Sequence, residues 1–309
     1  MKVAVSGASG YVGQALLMLL ARQGASTLAL ARSKPLLPAL DGVRWLLCAD
    51  GEPSASQLVG IDAVVHLAGR AHTRVAFANG RDLFDGANHR LAVRMALAAQ
   101  RAGVGRFVFV STLGVHGNWS DSAVREDSPI RAETPYARSK WAAEQALLRS
   151  SEASGMDLCI VRPPMVYGPR CPGNFTRLLK LVRMACPLPF ASVNAQRSFV
   201  YVENLASFLV HCAEHVRGRQ TFVIGDGSDW ELPQLIRTIG AALDVPVRLF
   251  PFPLPVLRLA AQAAGRQREI DSLTRSMTVD WAHAKNGTSW RPPIPAVDAL
   301  QATLRSYVL

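Results

Sequence analysis

Short apolar runs alternate with helical patterns over the first half of the chain, and this alternation limits the fold more than any other feature. The runs have few polar side chains, as is typical of strands that are buried on both faces. They lie at residues 2–6, 26–31, 43–48, 63–67, 107–110 and 158–161, and a strong helical pattern covers 87–102. Helices between such strands place them parallel in one sheet. The sequence therefore predicts an α/β fold with a doubly wound parallel sheet.

A glycine series connects the first predicted strand to the first helix. Gly7, Gly10 and Gly13 have the spacing G-x-x-G-x-x-G, with Tyr11 and Val12 between the last two. This spacing permits a tight turn and lets backbone N–H groups approach a pyrophosphate at the positive end of the helix. We expect a Rossmann-type dinucleotide site here, and glycines kept only for close packing are the alternative.

The end of the second predicted strand bears on the choice of cofactor. A site that prefers NAD usually has an acidic residue there for the ribose 2′-hydroxyl, whereas this chain has Arg32 followed by Ser33. An arginine can instead meet a 2′-phosphate. The expected cofactor is NAD(P)(H), with NADP(H) preferred, and a solvated surface role for Arg32 is the alternative.

The second half of the chain is rich in proline, so its regular elements are expected to be short. Residues 199–213 and 222–224 have the patterns of a helix and a strand that return to the main sheet. Further helices are predicted at 232–243, 254–264 and 297–307. We expect a dinucleotide-binding domain at residues 1–165 that also receives about 199–225, and a smaller mixed substrate-binding domain at 166–198 and 226–309.

Composition excludes several classes of protein. Of the 309 residues, 49% are hydrophobic and 18% charged, which fits a folded chain rather than a disordered one. The longest apolar stretches are interrupted by Arg22 and Arg258, so we expect no spanning helix and no membrane partner. Five cysteines without a C-x-x-C pair predict no disulfide scaffold and no metal site, and they fit a reducing compartment, the cytoplasm.

The formal net charge of +11 raises the question of a nucleic-acid partner. The arginines are scattered along the chain without a basic block, so we expect no such partner. A positive field can steer a small anionic substrate, and an arginine-rich coding bias is the neutral alternative.

A tyrosine and a lysine one helical turn apart give the sharpest sign of catalysis. Tyr136 and Lys140 share a helix face, and the lysine charge would lower the phenol pKa from its usual value of about 10. Tyr136 could then exchange a proton with a hydroxyl or carbonyl while a nicotinamide exchanges a hydride. Ser111 and Thr112 end the fifth predicted strand, where open α/β sheets place ligands. Alone, a Y-x-x-x-K pair usually decorates a helix surface.

These motifs occur in one order, and through them the chain resembles the extended short-chain dehydrogenase/reductases, the NAD(P)-dependent sugar-nucleotide epimerase and dehydratase family. The resemblance covers essentially the whole chain. It is carried by the glycine turn, residues 62–69 (DAVVHLAG), Asn88, Ser111-Thr112 with 115–117 (VHG), the Tyr136 and Lys140 pair, and residues 162–169 (RPPMVYGP). Each motif is weak or moderate alone, and their joint occurrence is specific.

The resemblance implies a role for each matching residue. Tyr136 is expected to be the catalytic acid/base, Lys140 to bind the nicotinamide ribose and tune Tyr136, and Thr112 to supply the catalytic hydroxyl. Ser111 is the alternative hydroxyl, and Asp50 is expected near the adenine. The expected cofactor-binding residues are Gly7, Gly10, Tyr11, Val12, Gly13, Arg32, Asp50, Leu67, Ala68, Gly69, Lys140, Pro163 and Val166.

The resemblance also implies a nucleotide-sugar substrate, UDP-linked, and a partner subunit. Arg197 matches an arginine that meets the nucleotide diphosphate, and Asn174 and Phe175 match a clamp on the same ligand. His72 is expected to lie over the substrate. A surface ion pair for Arg197 and an ordinary loop role for His72 are the alternatives. The helices predicted at 87–102 and 136–150 pair two subunits in relatives, so a homodimer is expected.

One departure from the family narrows the reaction. Dehydratases of this family carry an acidic pair directly after the catalytic threonine, where this chain has Leu113 and Gly114, so dehydration is disfavoured. Further likeness to bacterial reductases favours 4-keto reduction of a UDP-4-keto-6-deoxy-hexosamine for surface polysaccharide. A UDP-sugar 4-epimerase of the UDP-glucose or UDP-N-acetylhexosamine type is the alternative. A non-catalytic dinucleotide-binding regulator is the alternative from another class.

Overall fold

Strands and helices alternate through the computed structural model, which describes residues 1–33, 39–71, 77–78 and 81–308. The strands are β1 (Lys2–Ser6), β2 (Ser26–Ala31), β3 (Val43–Leu47), β4 (Ala63–His66), β5 (Phe77–Ala78), β6 (Arg81–Asp82), β7 (Arg106–Val110), β8 (Asp157–Arg162), β9 (Met165–Tyr167), β10 (Gln196–Tyr201), β11 (Arg219–Val223) and β12 (Asp229–Glu231). The α-helices are α1 (Tyr11–Arg22), α2 (Leu91–Arg101), α3 (Pro135–Ser154), α4 (Asn174–Arg183), α5 (Val202–His215), α6 (Leu232–Ala242), α7 (Leu254–Ala263), α8 (Gln267–Thr274), α9 (Ala282–Thr288) and α10 (Ala296–Val308).

The main sheet has seven parallel strands in the order β11-β8-β7-β4-β1-β2-β3. Val3 of β1 pairs with Thr27 of β2 on one side and with Ala63 of β4 on the other. The direction of strand succession reverses between β1 and β4, and open sheets bind ligands outside the carboxyl ends of strands at such a point. The predicted Rossmann-type doubly wound sheet is confirmed.

Helices cover both faces of this sheet because the side chains of each strand alternate between them. Val3 belongs to an apolar cluster that includes Leu16 of α1, whereas its neighbour Ala4 belongs to a second cluster with Met95 of α2 and Leu147 of α3. All five side chains are almost fully buried. Burial of one large apolar side chain contributes about 1.5–3 kcal/mol, so these two layers stabilise the sheet that positions the site.

A smaller mixed sheet lies beyond the carboxyl end of β8. Its order is β12-β10-β9, with β9 and β10 parallel and β10 and β12 antiparallel. The Tyr167 ring packs against Phe175 of α4 and Phe199 of β10, at centroid distances of 5.5 and 6.1 Å. These aromatic contacts join the small sheet to α4, which borders the site.

Some predicted elements differ from the observed ones. The helix expected at 199–213 begins only at Val202, because residues 199–201 belong to β10 and pair with 165–167 of β9. The long helix expected at 87–102 is split into a π-helical segment, Asp85–Arg90, and α2. The third and fourth strands end one residue earlier than expected. The sequence did not predict α4, α8, α9, β5, β6, β9, β10 or β12. The division into two domains stays a prediction.

None of the described helices has the length and apolar character that crossing a membrane requires. In the same ranges, no group of three or more His, Cys, Asp and Glu side chains is arranged to hold a metal ion.

Candidate active site

The glycine turn between β1 and α1 is so tight that two of its positions admit only glycine. Gly7 has φ +72°, and a Cβ there would lie 2.6 Å from the backbone nitrogen of Ala68. A Cβ on Gly13 would lie 2.3 Å from the carbonyl oxygen of Gly7. The turn therefore holds the start of α1 close to the segment that follows β4.

The first turn of α1 is suited to an anion. The helix begins at Tyr11, its N-cap residue Gly10 has no side chain to cap it, and its first turn contains no acidic residue. The first N–H groups of a helix have no partners within it and carry the positive end of its dipole. A pyrophosphate can bind them without competition from a carboxylate in that turn.

A cavity of about 610 Å³ opens beside this turn, at the carboxyl ends of β1, β4, β7 and β8. It extends past β10 to α4, α6 and α8. Most of the predicted site residues line it, namely Gly7, Gly10, Tyr11, Val12, Gly13, Leu67, Gly69, Ser111, Thr112, Tyr136, Lys140, Pro163, Val166, Asn174, Phe175 and Arg197. The fold thus brings together residues that span most of the chain length.

Four predicted residues are not among those lining the cavity. Arg32 is exposed directly after β2, and Asp50 is exposed three residues after β3. The backbone of Ala68 packs beneath Gly7. His72 lies outside the described residues. Their roles stay predictions.

Tyr136 is held at the start of α3 by the cap of that helix. Pro135 occupies the first helical position, and the backbone N–H of Ala137 donates to Thr134 Oγ1 at 3.0 Å. Burial raises the pKa of the Tyr136 phenol to about 12, although a hydrogen bond with Thr112 acts in the opposite direction. The phenol is therefore protonated at neutral pH in this state of the protein.

Lys140 lies one turn further along α3 and faces the end of β7. Its ammonium donates to the carbonyl oxygen of Val110 at 2.8 Å and lies 4.7 Å from the centre of the Phe109 ring. Burial lowers the pKa of Lys140 to about 8, against the attraction of Glu144. The expected lowering of the Tyr136 pKa by this lysine is not seen, because burial of the phenol is the largest influence on it.

The Ser111 hydroxyl is hydrogen-bonded to a buried ion pair behind the cavity. Its hydroxyl donates to Glu144 of α3, whose carboxylate also accepts from Arg162 at the end of β8, with an Nη2 to Oε2 distance of 2.6 Å. Glu144 is fully buried and Arg162 is 5% exposed. Since the Ser111 proton points to Glu144, Thr112 is the better placed of the two hydroxyls to meet a ligand.

His116 completes this buried network from the opposite side of Arg162. Its Nε2 accepts from Arg162 Nη1 at 3.0 Å, and its Nδ1 faces the carbonyl oxygen of Pro129 at 3.3 Å. Burial and the Arg162 charge lower the pKa of His116 to about 4. The imidazole is therefore neutral at physiological pH and serves Arg162 as an uncharged acceptor.

Asn88 fixes the segment that follows β4. Its side chain accepts from the backbone N–H of Arg70 at 2.7 Å, and its amide group donates to the Arg70 carbonyl and to Ser139. A Cβ on Gly69 would lie 2.8 Å from Asn88 Oδ1 and 3.4 Å from Lys140 Nζ. This close approach fixes the wall of the cavity beside the lysine.

Arg197 lies at the other end of the cavity, on β10. Its guanidinium donates to the carbonyl oxygens of Arg275 and Asn118, at 3.0 and 3.1 Å. Burial lowers its pKa to about 10, and in the described ranges no carboxylate offsets this effect. A desolvated arginine held only by neutral acceptors retains a charge that can bind a phosphate group.

The cavity wall contains cations but no acids among its described residues. Lys140 and Arg197 line it, and none of the other lining residues is Asp or Glu. The position after Thr112 is taken by Leu113, which is 3% exposed and packs in an apolar cluster. The described wall therefore suits a ligand with several negative charges and offers no carboxylate for an elimination.

Glu144 is the functional neighbour that sequence reasoning missed, and Arg162 and Asn88 were noted there only as parts of motifs. Tyr136, Lys140 and Glu144 follow one another at intervals of four residues, so they share one face of α3. That spacing was the available signal for Glu144. The pairing of Glu144 with Arg162 follows only from the packing of α3 beside β8.

The chain is similar in sequence to known proteins. A family model described as the NAD dependent epimerase/dehydratase family matches residues 3–225. A UDP-glucose 4-epimerase of Vibrio cholerae is 32% identical over 250 residues, which cover 79% of this chain and 76% of that protein. A ceramide reductase of Caulobacter vibrioides is 29% identical over 300 residues, covering 94% of this chain and 86% of the relative.

Solved structures share the whole fold. A UDP-glucuronic acid 4-epimerase from Bacillus cereus, solved with NAD, has a TM-score of 0.78 and 19% identity, and the match covers 99% of this chain and 98% of that one. At this identity the likeness concerns the fold.

Proposed function

Because the chain belongs to the NAD dependent epimerase/dehydratase family, an enzyme family with a nicotinamide dinucleotide cofactor, we propose that it is a sugar-nucleotide 4-keto reductase. Its substrate in this proposal is a UDP-4-keto-6-deoxy-hexosamine destined for surface polysaccharide. The observation that carries the proposal is the described cavity wall, with Thr112, Tyr136 and Lys140 at one end, Arg197 at the other, and no acid between them.

The residues of the glycine turn fit a dinucleotide. A side chain at Gly7 or Gly13 would collide with backbone, and the exposed N–H groups at the start of α1 have no competing acid. Tyr11 and Val12 would hold the pyrophosphate through these groups, and Lys140 would hold the nicotinamide ribose. The bound cofactor supplies the hydride that the reaction requires.

Tyr136 acts as the proton donor of the proposed reduction. A carbonyl oxygen at sugar C4 gains negative charge as the carbon receives a hydride, and a protonated phenol can neutralise it. The raised pKa of Tyr136, about 12, keeps that proton in place at neutral pH. Thr112, a hydrogen-bond partner of the phenol, orients it. Reduction needs a protonated Tyr136 phenol, which is the form that this pocket favours. Oxidation of a hydroxyl would need the phenolate.

The far end of the cavity recognises the nucleotide. The guanidinium of Arg197 binds the diphosphate, because its charge has no carboxylate partner in the described ranges. Asn174 and Phe175 form the first turn of α4, which has no acidic residue and whose N-cap has no side-chain hydrogen bond. This second helix end adds backbone donors near the same phosphates.

A UDP-sugar 4-epimerase is the second candidate, and the similarity to the Vibrio cholerae UDP-glucose 4-epimerase favours it. Epimerisation uses the same residues twice, because a hydride leaves C4 and returns to the opposite face. The cofactor is then recycled within the site rather than consumed.

Cofactor stoichiometry separates the two activities. The purified protein is mixed with a UDP-4-keto-6-deoxy-hexosamine and NADPH or NADH, and the loss of the reduced-nicotinamide absorbance is compared with the amount of 4-hydroxy sugar formed. We expect one reduced cofactor to be oxidised per sugar. Interconversion of UDP-glucose and UDP-galactose, or of the N-acetyl pair, without net change in absorbance would establish the epimerase instead.

Two further properties belong to this proposal. Arg32, exposed after β2, meets the 2′-phosphate of NADPH. Two copies of the chain pair through α2 and α3 to form a homodimer, and static light scattering across working concentrations measures that mass. A strictly monomeric mass would contradict the pairing.

A further inference from the structure

A second cavity lies at the edge of the main sheet, separate from the active site. Its volume is about 360 Å³, and residues from the end of α5, the outer strand β11 and helix α9 line it. None of them lines the active-site cavity. The wall consists of His211, His215, Val216, Arg217, Gln220, Phe222, His283, Gly287 and Thr288. Three of the seven histidines of the chain therefore lie at one place that the proposed reaction does not use.

Two of these histidines form a close pair on α5. His211 and His215 are four residues apart, so they share one face of the helix, and their ring centres lie 4.7 Å apart. His211 is half-buried and His215 is exposed. The Nε2 atom of His211 is buried and has no hydrogen-bond partner in the described ranges. A buried nitrogen without a partner costs free energy, which a bound ligand can offset.

The surroundings of the pair favour a cation as this ligand. Both rings lie at the carboxyl end of α5, which is the negative end of the helix dipole and attracts positive charge. The exposed Glu214 adds a negative charge in the same turn. Arg217 donates to the carbonyl oxygens of Glu214 and Val216, at 3.3 Å each, so its guanidinium is already hydrogen-bonded to the protein. The imidazoles are then the groups that a ligand would bind.

The spacing and the separation of the pair suit a transition-metal ion. Neutral imidazole nitrogens are common ligands of Zn²⁺, Ni²⁺ and Cu²⁺, and two histidines at i and i+4 on a helix can bind one ion together. Two nitrogens that are each about 2.0–2.1 Å from a zinc ion lie at most about 4.2 Å from one another. Ring centres 4.7 Å apart allow this separation after a rotation of the exposed His215 ring. We propose that His211 and His215 chelate a divalent transition-metal ion at the end of α5.

Two protein ligands leave the other coordination positions of the ion to water or to a small ligand. This number is consistent with the described ranges, which contain no group of three or more His, Cys, Asp and Glu side chains arranged to hold a metal. His283 lines the same cavity from α9, but its ring stacks on Phe222 at a centroid distance of 5.1 Å, and we assign it no bond to the ion.

The proposal revises the expectation of no metal site, which came from the spacing of the cysteines and did not consider the histidines. Because the two cavities share no lining residue, the proposal does not depend on which reaction the active site catalyses.

The experiment is a calorimetric titration of Ni²⁺ into the full chain, purified without a histidine tag and stripped of metal by a chelator that is then removed. Nickel is the probe because imidazole is a suitable ligand for it. We expect saturable binding of one ion per chain. His211→Asn and His215→Asn should each lower the affinity about tenfold to hundredfold, because either change removes one of the two protein ligands.

Thermal unfolding gives a second measurement. Nickel should raise the melting temperature of the unmodified protein, because the ion binds the folded chain, and it should not raise that of either pair variant. His215 is exposed, so His215→Asn should have the melting temperature of the unmodified protein when no metal is added. This variant therefore tests the site even if His211→Asn weakens the fold.

Matched controls separate the pair from other groups that bind metals. His283→Asn changes the third histidine of the same cavity, and Cys186→Ser removes the one cysteine that is not buried. Both variants should bind Ni²⁺ like the unmodified protein.

Three results would overturn the proposal. One is the absence of saturable binding of one Ni²⁺ per chain, and another is an unchanged affinity in His215→Asn. The third is a loss of affinity in His283→Asn or Cys186→Ser as large as that in the pair variants, since the ion would then be held by other groups.

Discussion

The two ends of the cavity differ in how their charges are satisfied. At the end formed by the main sheet, the carboxylate of Glu144 is paired with Arg162, accepts a hydrogen bond from Ser111 and attracts the Lys140 charge. At the end formed by the small sheet, Arg197 is held by two carbonyl oxygens, and its charge has no carboxylate partner in the described part of the chain.

This difference separates groups that position the reacting atoms from a group that recognises the phosphates of a ligand. A group that takes part in proton transfer must keep one geometry, and contacts within the protein can fix it before any ligand arrives. A group that binds a phosphate gains most when its charge is not already neutralised. Four substitutions or conditions test this division, and the expected effects decrease from the first to the last.

Removal of the Tyr136 hydroxyl should have the largest effect. Tyr136→Phe deletes the proton donor while keeping the ring, so we expect kcat to fall about 10³-fold with little change in the dissociation constants of cofactor and UDP-sugar. Steady-state kinetics and fluorescence titration measure the two. Unchanged sugar-nucleotide conversion by this variant would contradict the whole assignment of the catalytic end.

Acid should weaken the buried network at the catalytic end. The pKa of His116 is about 4 in the folded protein and 6.5 in a free imidazole, so the unfolded chain takes up a proton that the folded chain resists. Its contribution is complete above pH 6.5 and is lost as the pH falls toward 4. The free energy of unfolding should drop by about 1–3 kcal/mol over that window, because solvent screens part of the shift.

The control for the pH effect is His116→Gln, which offers Arg162 an acceptor that does not titrate. Urea unfolding of both proteins between pH 7 and about 4 should show a shallower pH dependence in the variant. Its residual slope would come from other groups, including buried His66, whose pKa is lowered to about 3. If the free energy of unfolding had the same pH dependence in both proteins, protonation of His116 would not be the cause of the acid effect.

Arg197→Ala should weaken binding of the nucleotide without affecting the chemical step. We expect the dissociation constant of UDP, measured by calorimetry, to rise about tenfold to hundredfold, because charge-assisted hydrogen bonds to the diphosphate are lost. The dinucleotide affinity should stay the same. Lys180→Ala, an exposed change on α4 outside the cavity wall, is the matched control. Loss of both affinities would show that Arg197 supports the fold instead.

The main sheet and the position of Tyr136 and Lys140 at the cavity could be predicted from the sequence because their signals are local. Apolar runs mark the strands, glycine spacing marks the turn, and Tyr136 and Lys140 are one helical turn apart. β10 was harder to predict, because its apolar residues 199–201 continue without a break into the apolar face of α5. No turn residue separates the strand from the helix.

The contacts that complete the site could not be predicted in this way. Glu144 and Arg162 are 18 residues apart and meet only when α3 packs beside β8. The partners of Arg197 are backbone carbonyls 78 and 79 residues away, and a carbonyl is present at every position of any sequence. The lowered pKa of Arg197 and the raised pKa of Tyr136 both arise from burial, which depends on the packed cavity.

Arg32 should have the smallest effect, because it is exposed to solvent and salt screens its charge. Arg32→Ser should weaken NADPH binding about fivefold and leave NADH binding unchanged, since only NADPH carries a 2′-phosphate. Arg44→Ser, an exposed change on β3, is the matched control. Added salt should reduce the preference of the unmodified protein for NADPH over NADH. In the variant, salt should hardly change the ratio of the two affinities. Tighter binding of NADH than of NADPH by the unmodified protein would exclude a 2′-phosphate contact at Arg32.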